Sequence, residues 1–323
     1  MDFLKKLIRK QPVKGGLLEV EIITLVYTFF TAAIIVLLHR EMPAPGNLLA
    51  MRTFVILVTA LLIWIYTRFP SQLTLTLRTI FPLTLLGTWY PDTFEFCRLF
   101  PYLDHYFAMA DQWLFGYQPA AEFSASFPSI WASEILNMGY FSYFPLIVLG
   151  ALLPLYNKGI TLRKSSFILL CCFFLYYIIY LFLPVAGPQF YFPYLNPEII
   201  QAGGPFPEAG NYFSEHSVLT VPEGNEGIFK TLVEVLHNSG ERPTAAFPSS
   251  HVGIGTVLML MFWSVRSRIT WVALPFYVLL CLATVYIRAH YFVDVIGGLV
   301  TAPIFYFASL RLYEVLRKKT VRE

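Results

Sequence analysis

The sequence predicts an all-α membrane protein, a polytopic helical bundle of about eight transmembrane spans. Three observations carry this. Hydrophobic residues make up 57% of the 323 positions and charged residues only 13%, against about 25% charged in soluble domains. Apolar runs of roughly 20 residues, the length that crosses about 30 Å of hydrocarbon, recur along the chain. Lys and Arg gather in alternate short connections between those runs. A net charge of +3 is too small to indicate a nucleic-acid partner. Cys97, Cys171, Cys172 and Cys281 lack metal-ligand spacing, and three of them lie inside apolar runs, so they read as packing residues.

Lys5, Lys6, Arg9, Lys10 and Lys14 precede the first apolar run, Val20 to Leu38. That run is too long for the core of a signal peptide, and the following His39-Arg40-Glu41-Met42-Pro43 offers no small-residue cleavage site, so it is expected to be a retained first span. The eight expected spans cover about 20–38, 50–67, 72–90, 131–155, 166–184, 249–265, 269–288 and 291–311. The third is threonine-rich and holds Arg78 and Pro82, and the sixth is short with polar residues at its front. The whole chain reads as one membrane domain, with two accessory spans in residues 1–70 and a six-span catalytic core in 71–323. No internal repeat supports an inverted-repeat transporter.

With eight spans, the basic N-terminus, Arg68, the loop with Lys158, Arg163 and Lys164, the Arg266 to Arg268 hairpin and the tail with Arg317, Lys318 and Lys319 share one side. Both termini are then expected to be cytoplasmic. Loops 39–49, 91–130 and 185–248 and the turn near His290 face outward, toward the periplasm in a bacterial inner membrane or the Golgi lumen in a eukaryote. Loop 185–248 is acid-rich, with Glu198, Glu208, Glu215, Glu223, Glu226, Glu234 and Glu241 against Lys230 and Arg242. It is too long for a bare connection. Its Ile228 to Leu236 piece reads as an amphipathic helix at the interface, within an otherwise irregular lid.

Two polar clusters flank the sixth and seventh spans, Arg242-Pro243-Thr244-Ala245-Ala246-Phe247-Pro248-Ser249-Ser250-His251 and Arg288-Ala289-His290-Tyr291-Phe292-Val293-Asp294. His290 and Asp294 are four apart and share a helix face. A carboxylate there can fix the imidazole tautomer, leave the other nitrogen as a nucleophile and stabilise the positive ring that forms on attack at phosphorus. Pro248-Ser249-Ser250-His251 opens an apolar helix, where free N–H groups and the helix dipole favour an anion. Ser249 and Ser250 can donate to phosphate, Arg288 and Arg242 can clamp its oxygens, and His251 can act as general acid and then base. No metal or other cofactor is required. Ionisable groups at membrane depth are costly and point to function. His39, His105, His216 and His237, each alone, read as ordinary solvated or hydrogen-bonded interfacial residues.

On Phe247-Pro248-Ser249-Ser250-His251 and His290-Tyr291-Phe292-Val293-Asp294-Val295, the sequence resembles the membrane-bound type 2 phosphatidic acid phosphatase superfamily. Asp111-Gln112-Trp113-Leu114-Phe115-Gly116 and Pro184-Val185-Ala186-Gly187-Pro188 match secondarily, and the resemblance runs from about Asp104 to Gly298. The simple phosphatases place a Lys and an Arg-Pro ahead of the first histidine motif. Here the only Arg-Pro, 242–243, lies close to that motif, and Thr284 stands where their second arginine would be. The inositol phosphorylceramide synthase branch is therefore the nearer resemblance. It implies His290 as nucleophile, His251 as acid and base, and Asp294 as orienter. The implied reaction moves phosphoinositol from phosphatidylinositol to ceramide and releases diacylglycerol, with Asp111, Glu134, Asn137 and Gln189 as candidate head-group contacts. One alternative is a lipid phosphate or polyprenyl pyrophosphate phosphatase, in which water is the acceptor. Another is a non-enzymatic lipid-binding or transport protein, although transporters tend to hold their sites near the bilayer midplane.

Overall fold

A computed structural model describes residues 16–218 and 227–322. Lys5, Lys6, Arg9, Lys10, Lys14, Glu223 and Glu226, and the Lys319 side chain, lie outside the described part. The architecture is a helical membrane bundle. Helices α1 (Glu19–Leu37) and α2 (Pro45–Arg68) form an N-terminal hairpin, followed by α3 (Gln72–Thr84) and α4 (Leu86–Cys97). Two short helices, α5 (Asp104–Phe115) and α6 (Pro119–Ser126), lead to α7 (Ile130–Phe141), α8 (Tyr143–Ala151) and α9 (Leu153–Tyr156). Then come α10 (Leu162–Phe182), the lid helices α11 (Pro188–Tyr194), α12 (Pro197–Ala202), α13 (Tyr212–Glu215) and α14 (Ile228–Gly240), and finally α15 (Ser250–Ser264), α16 (Ile269–Tyr286) and α17 (Phe292–Arg322).

Among the described residues, α1, α2, α10, α16 and α17 are long and apolar enough to cross a membrane. The other three expected passes take a different form. The third is split at Leu85 into α3 and α4, with Pro82 and Pro91 inside the two helices. The fourth is split at Ser142 and Leu152 into α7, α8 and α9. Pro145 and Pro154 lack the N–H groups that would bond the carbonyls of Phe141 and Gly150, so the ladder breaks ahead of each. The sixth, α15, has 15 residues. The last helix runs past the expected 311 to Arg322.

Helix α10 is the axis of the bundle. It packs against α1, α3, α4, α15 and α17, and its Phe167, Leu169, Cys172, Tyr176 and Tyr180 are buried, as are Cys97 and Cys171. Tyr27 of α1 stacks on Phe174 of α10 at 4.3 Å and meets Trp89 of α4 edge-on at 5.4 Å. The N-terminal hairpin thus shares the main core.

The buried charges of this hairpin, Glu19, Glu21 and Arg52, are paired. Arg78 donates from Nε and Nη2 to the two oxygens of Glu21 at 2.7 and 2.6 Å, with both side chains buried. Arg163 of α10 binds Glu19 at 2.5 Å, and Arg52 pairs with Asp92. Arg78, which made the third span look weak in sequence, is therefore a tie between α3 and α1. Glu21→Ala leaves the Arg78 guanidinium buried and unpaired, and is expected to destabilise the bundle by about 3–5 kcal/mol. Thermal unfolding in detergent, run as a double-mutant cycle with Arg78→Leu, checks this, because the double variant should recover much of the loss.

Candidate active site

Three loops meet beyond the ends of α10, α14 and α16, and their backbones are laced together. The Ala246 N–H donates to the Val185 carbonyl at 3.1 Å, Gln189 N–H to Arg288 at 2.7 Å, and Ser249 N–H to Asp294 at 3.0 Å. Each loop holds one residue with positive φ: Gly187 at 92°, Ala245 at 66° and Arg288 at 64°. A Cβ on Gly187 would stand 2.6 Å from the Ala289 carbonyl oxygen, so only glycine allows this approach. On α17, a Cβ at Gly298 would stand 2.6 Å from the Ser249 carbonyl oxygen, which brings the start of α15 against α17.

Buried carboxylates fix these loops. Asp104 accepts the N–H groups of Ala186 and Gly187 at 2.9 and 2.8 Å and the Tyr291 hydroxyl at 3.1 Å. Asp111 accepts those of Phe292 and Val293 at 2.8 and 2.9 Å, capping the start of α17. Asp294 accepts that of Tyr291 at 2.8 Å. Burial raises Asp104 and Asp111 to about 6, against the lowering effect of the N–H groups they bind, so both stay ionised at pH 7.

This frame presents the two histidines to each other. His251 begins α15, held by the Ser249 cap, whose hydroxyl accepts the Val252 N–H, and by the Tyr180 hydroxyl, which donates to the Pro248 carbonyl at 2.7 Å. His290 follows α16, with its own N–H bonded to the Thr284 carbonyl at 3.0 Å. His290 Nε2 lies 3.4 Å from His251 Nδ1. His290 Nδ1 lies 2.8 Å from the Ala246 carbonyl oxygen, which can only accept, so Nδ1 carries the proton and Nε2 keeps its lone pair. Burial pushes His290 down to about 4, opposed by the bond to Ala246, so the ring is neutral at pH 7.

The expected role of Asp294 is corrected in part. Its Oδ2 stands 3.5 Å from His290 Nδ1, close enough to stabilise a charged ring. The tautomer, however, is set by the closer Ala246 carbonyl. Sequence reasoning has no signal for a backbone acceptor 44 residues away.

Several other expected site residues have structural work. Asp111, a candidate head-group contact, uses both carboxyl oxygens to cap the start of α17. Glu134 likewise caps α14, accepting the Phe229 and Lys230 N–H groups at 3.1 and 2.9 Å. Asn137 donates within its own helix to Ser133. Ser249 gives its N–H to the Asp294 carbonyl and its hydroxyl oxygen accepts the Val252 N–H, so the O–H is the donor it has left. Arg288 is exposed and reaches Ser124 of α6 at 3.2 Å, with no bond to either histidine. Arg242 is half-buried and makes no ion pair among the described residues. Ser250 stays at the site, lining a cavity with His251.

That cavity has a volume of about 440 Å³ and lies between α4, α8, α10 and α14. His251 is held at its end by Tyr140 and Tyr143, with ring centroids at 4.7 and 4.5 Å. The lid helix α14 is amphipathic, as expected, but extends to Gly240 and contributes residues to the cavity wall. His237, read from sequence as an ordinary interfacial histidine, is buried there, and its Nε2 has no hydrogen-bond partner among the described residues. Glu241 lines the same wall. Its Oε1 accepts the Tyr90 hydroxyl at 3.2 Å and Gln189 Nε2 at 3.3 Å, and burial raises it to about 7. Gln189, a candidate head-group contact, therefore sits behind Glu241.

Two outcomes are expected from this geometry. Asp111→Asn faces two N–H donors with one acceptor and one NH₂ group, which should cost about 1–3 kcal/mol of stability and lower kcat, measured by thermal unfolding and turnover of the same preparation. Because His290 is neutral down to about pH 4, the acid limb of kcat/KM attributable to this ring should fall near that value instead of near the ordinary histidine value of about 6.5. A pH–rate profile of the detergent-solubilised protein reads this directly.

The model of the PAP2 superfamily matches residues 105–308, more than half of the chain, spanning both histidine segments. No curated protein and no solved structure matches the chain. The matched range includes the membrane-spanning helices α10 and α16 and the first half of α17. The chain belongs to the PAP2 superfamily and is an integral membrane enzyme of lipid phosphatase or phosphotransferase type.

Proposed function

We propose that the protein transfers phosphoinositol from phosphatidylinositol to ceramide through a phosphohistidine on His290, with the site on the face away from the cytoplasm. The observation that supports this reading is the His290–His251 pair, in which His251 lines a mostly apolar cavity of about 440 Å³. In a transferase the same cavity holds a lipid alcohol twice beside His251, first as the leaving group and then as the acceptor.

In the first step the Nε2 lone pair of His290 attacks phosphorus and the bond to the glycerol oxygen breaks. His251 gives that oxygen a proton, and diacylglycerol leaves. In the second step the ceramide primary hydroxyl gives its proton to His251 as its oxygen attacks phosphorus, and the P–N bond breaks. Attack is in line in both steps, so both alcohols occupy the position opposite His290, on the His251 side where the cavity opens. The 3.4 Å between the two ring nitrogens is too short to hold an in-line phosphorus and a hydrogen-bonded oxygen, so His251 turns away from His290 when substrate enters. Asp294 stabilises the positive ring as the P–N bond forms. Arg242, without an ion pair among the described residues, is the nearest cation in sequence to the first histidine segment and is assigned to the phosphate oxygens.

The test uses purified protein in mixed micelles with phosphatidylinositol, with and without ceramide, and follows lipid products by mass. Ceramide-dependent formation of inositol phosphorylceramide with diacylglycerol is expected, and His290→Ala should abolish it. Asp294→Asn should keep the fold and lose on the order of 10²-fold in kcat. Intact phosphatidylinositol together with phosphate release from phosphatidic acid or a prenyl pyrophosphate would make water the acceptor and overturn the transferase reading.

A further inference from the structure

The cavity beside His251 is walled mainly by apolar side chains, among them Leu83, Leu86, Phe144, Ile147 and Phe173. One part of its wall is different. Glu241 is the one carboxylate in the lining, and His237, four residues earlier, stands beside it. His237 is 8% exposed with Nε2 unpartnered, and Gln189, which donates to Glu241, has a buried Oε1 that is also unpartnered among the described residues. Polar atoms left unpaired in an apolar site are costly unless a ligand satisfies them. The His237 ring meets Tyr140 edge-on at 5.5 Å, and Tyr140 stacks at 4.7 Å on His251. The polar wall is therefore one aromatic ring away from the acid–base residue.

We propose that Glu241 and His237, with Gln189 behind them, form a specificity subsite for the acceptor lipid, selecting an alcohol that carries a second hydrogen-bond donor close to its reacting hydroxyl. The subsite deepens the transferase reading and rests on it. The Glu241 carboxylate in the cavity wall accepts hydrogen bonds, so it favours a partner with a further hydroxyl or an amide N–H, and Gln189 helps to hold it there. An N-acylated amino alcohol has both. Diacylglycerol has only its reacting hydroxyl, since its ester groups accept and do not donate. The two lipids use the same cavity in turn, and diacylglycerol returning to the phosphohistidine would reverse the first step. The subsite biases the intermediate toward the donor-rich alcohol. Glu241, Gln189 and His237 are positioning residues in this scheme, because none of them exchanges a proton with the reacting oxygen.

The test measures binding with turnover blocked. His290→Ala protein in detergent is titrated with a short-chain ceramide and with a diacylglycerol of matched chain length, and retained lipid is read by native mass spectrometry. The ceramide is expected to bind about tenfold more tightly, the equivalent of about 1.4 kcal/mol. Adding Glu241→Leu should bring the ratio close to one, Glu241→Gln should keep most of it, and His237→Phe, which preserves the ring packing on Tyr140, should lower it. Equal binding of the two lipids to the His290→Ala protein would overturn the proposal, as would a ratio unchanged by both Glu241→Leu and His237→Phe. A ceramide preference in a protein that forms no inositol phosphorylceramide would uphold the subsite and reject the transferase reading.

Discussion

Buried backbone N–H groups that have no water to bond must find an acceptor within the protein, and the site depends on how that demand is met. The chain bends sharply at 185–188 and again at 287–292, close to apolar surroundings. Each bend exposes N–H groups that no helix can satisfy. Asp104, Asp111 and Asp294 supply carboxyl oxygens as acceptors for five of them and so fix the path of the chain on both sides of His290. The Tyr291 hydroxyl, bonded to Asp104, joins two of these caps into one network. Remove the caps and the histidine loses its address, although none of the first two carboxylates touches the ring.

This arrangement separates tasks that a hydrolase triad places on one carboxylate. Fixing the proton of His290 on Nδ1 falls to a neutral carbonyl, that of Ala246, and balancing positive charge falls to Asp294 a little farther away. A neutral acceptor orients the ring without raising its basicity as strongly as a carboxylate at hydrogen-bond distance would. Burial can then keep the free ring unprotonated at physiological pH, while in the proposed reaction the nearby carboxyl becomes valuable only once the ring has acquired a phosphoryl group and a charge. The ground state and the intermediate are stabilised by different neighbours.

Much of this was legible in the sequence, for physical reasons. Apolar length identified the bundle and two histidine segments at one end of adjoining passes brought the two rings to one place, whereas the breaks in the third and fourth passes were not anticipated, although prolines lie at each. The failures among the site residues share a cause. A carboxylate near a membrane interface reads as a ligand group, but Asp111 serves N–H groups 181 residues away and Glu134 serves those at the start of α14, 95 residues away. Backbone partners have no side-chain signature, so helix caps that cross the fold cannot be told from head-group contacts in sequence. Glu241 and His237 were visible only as members of an acid-rich lid, because their burial is created by the way α14 lies over α7.

Helix α15 also fixes how deep the chemistry lies. Its 15 residues measure about 22 Å, short of the roughly 30 Å of hydrocarbon that its longer neighbours can span. If the Arg266 to Arg268 hairpin rests at one surface, His251 stops several ångströms below the other. The lipid phosphate must sink, or the bilayer must thin around the protein, before reaction can begin. Hydrophobic mismatch costs a fraction of a kcal/mol per ångström, and on that placement the cost would fall on bringing the phosphate to His251. The thickness of the surrounding membrane, set by its acyl chains, thereby becomes a determinant of rate alongside the identity of the substrates.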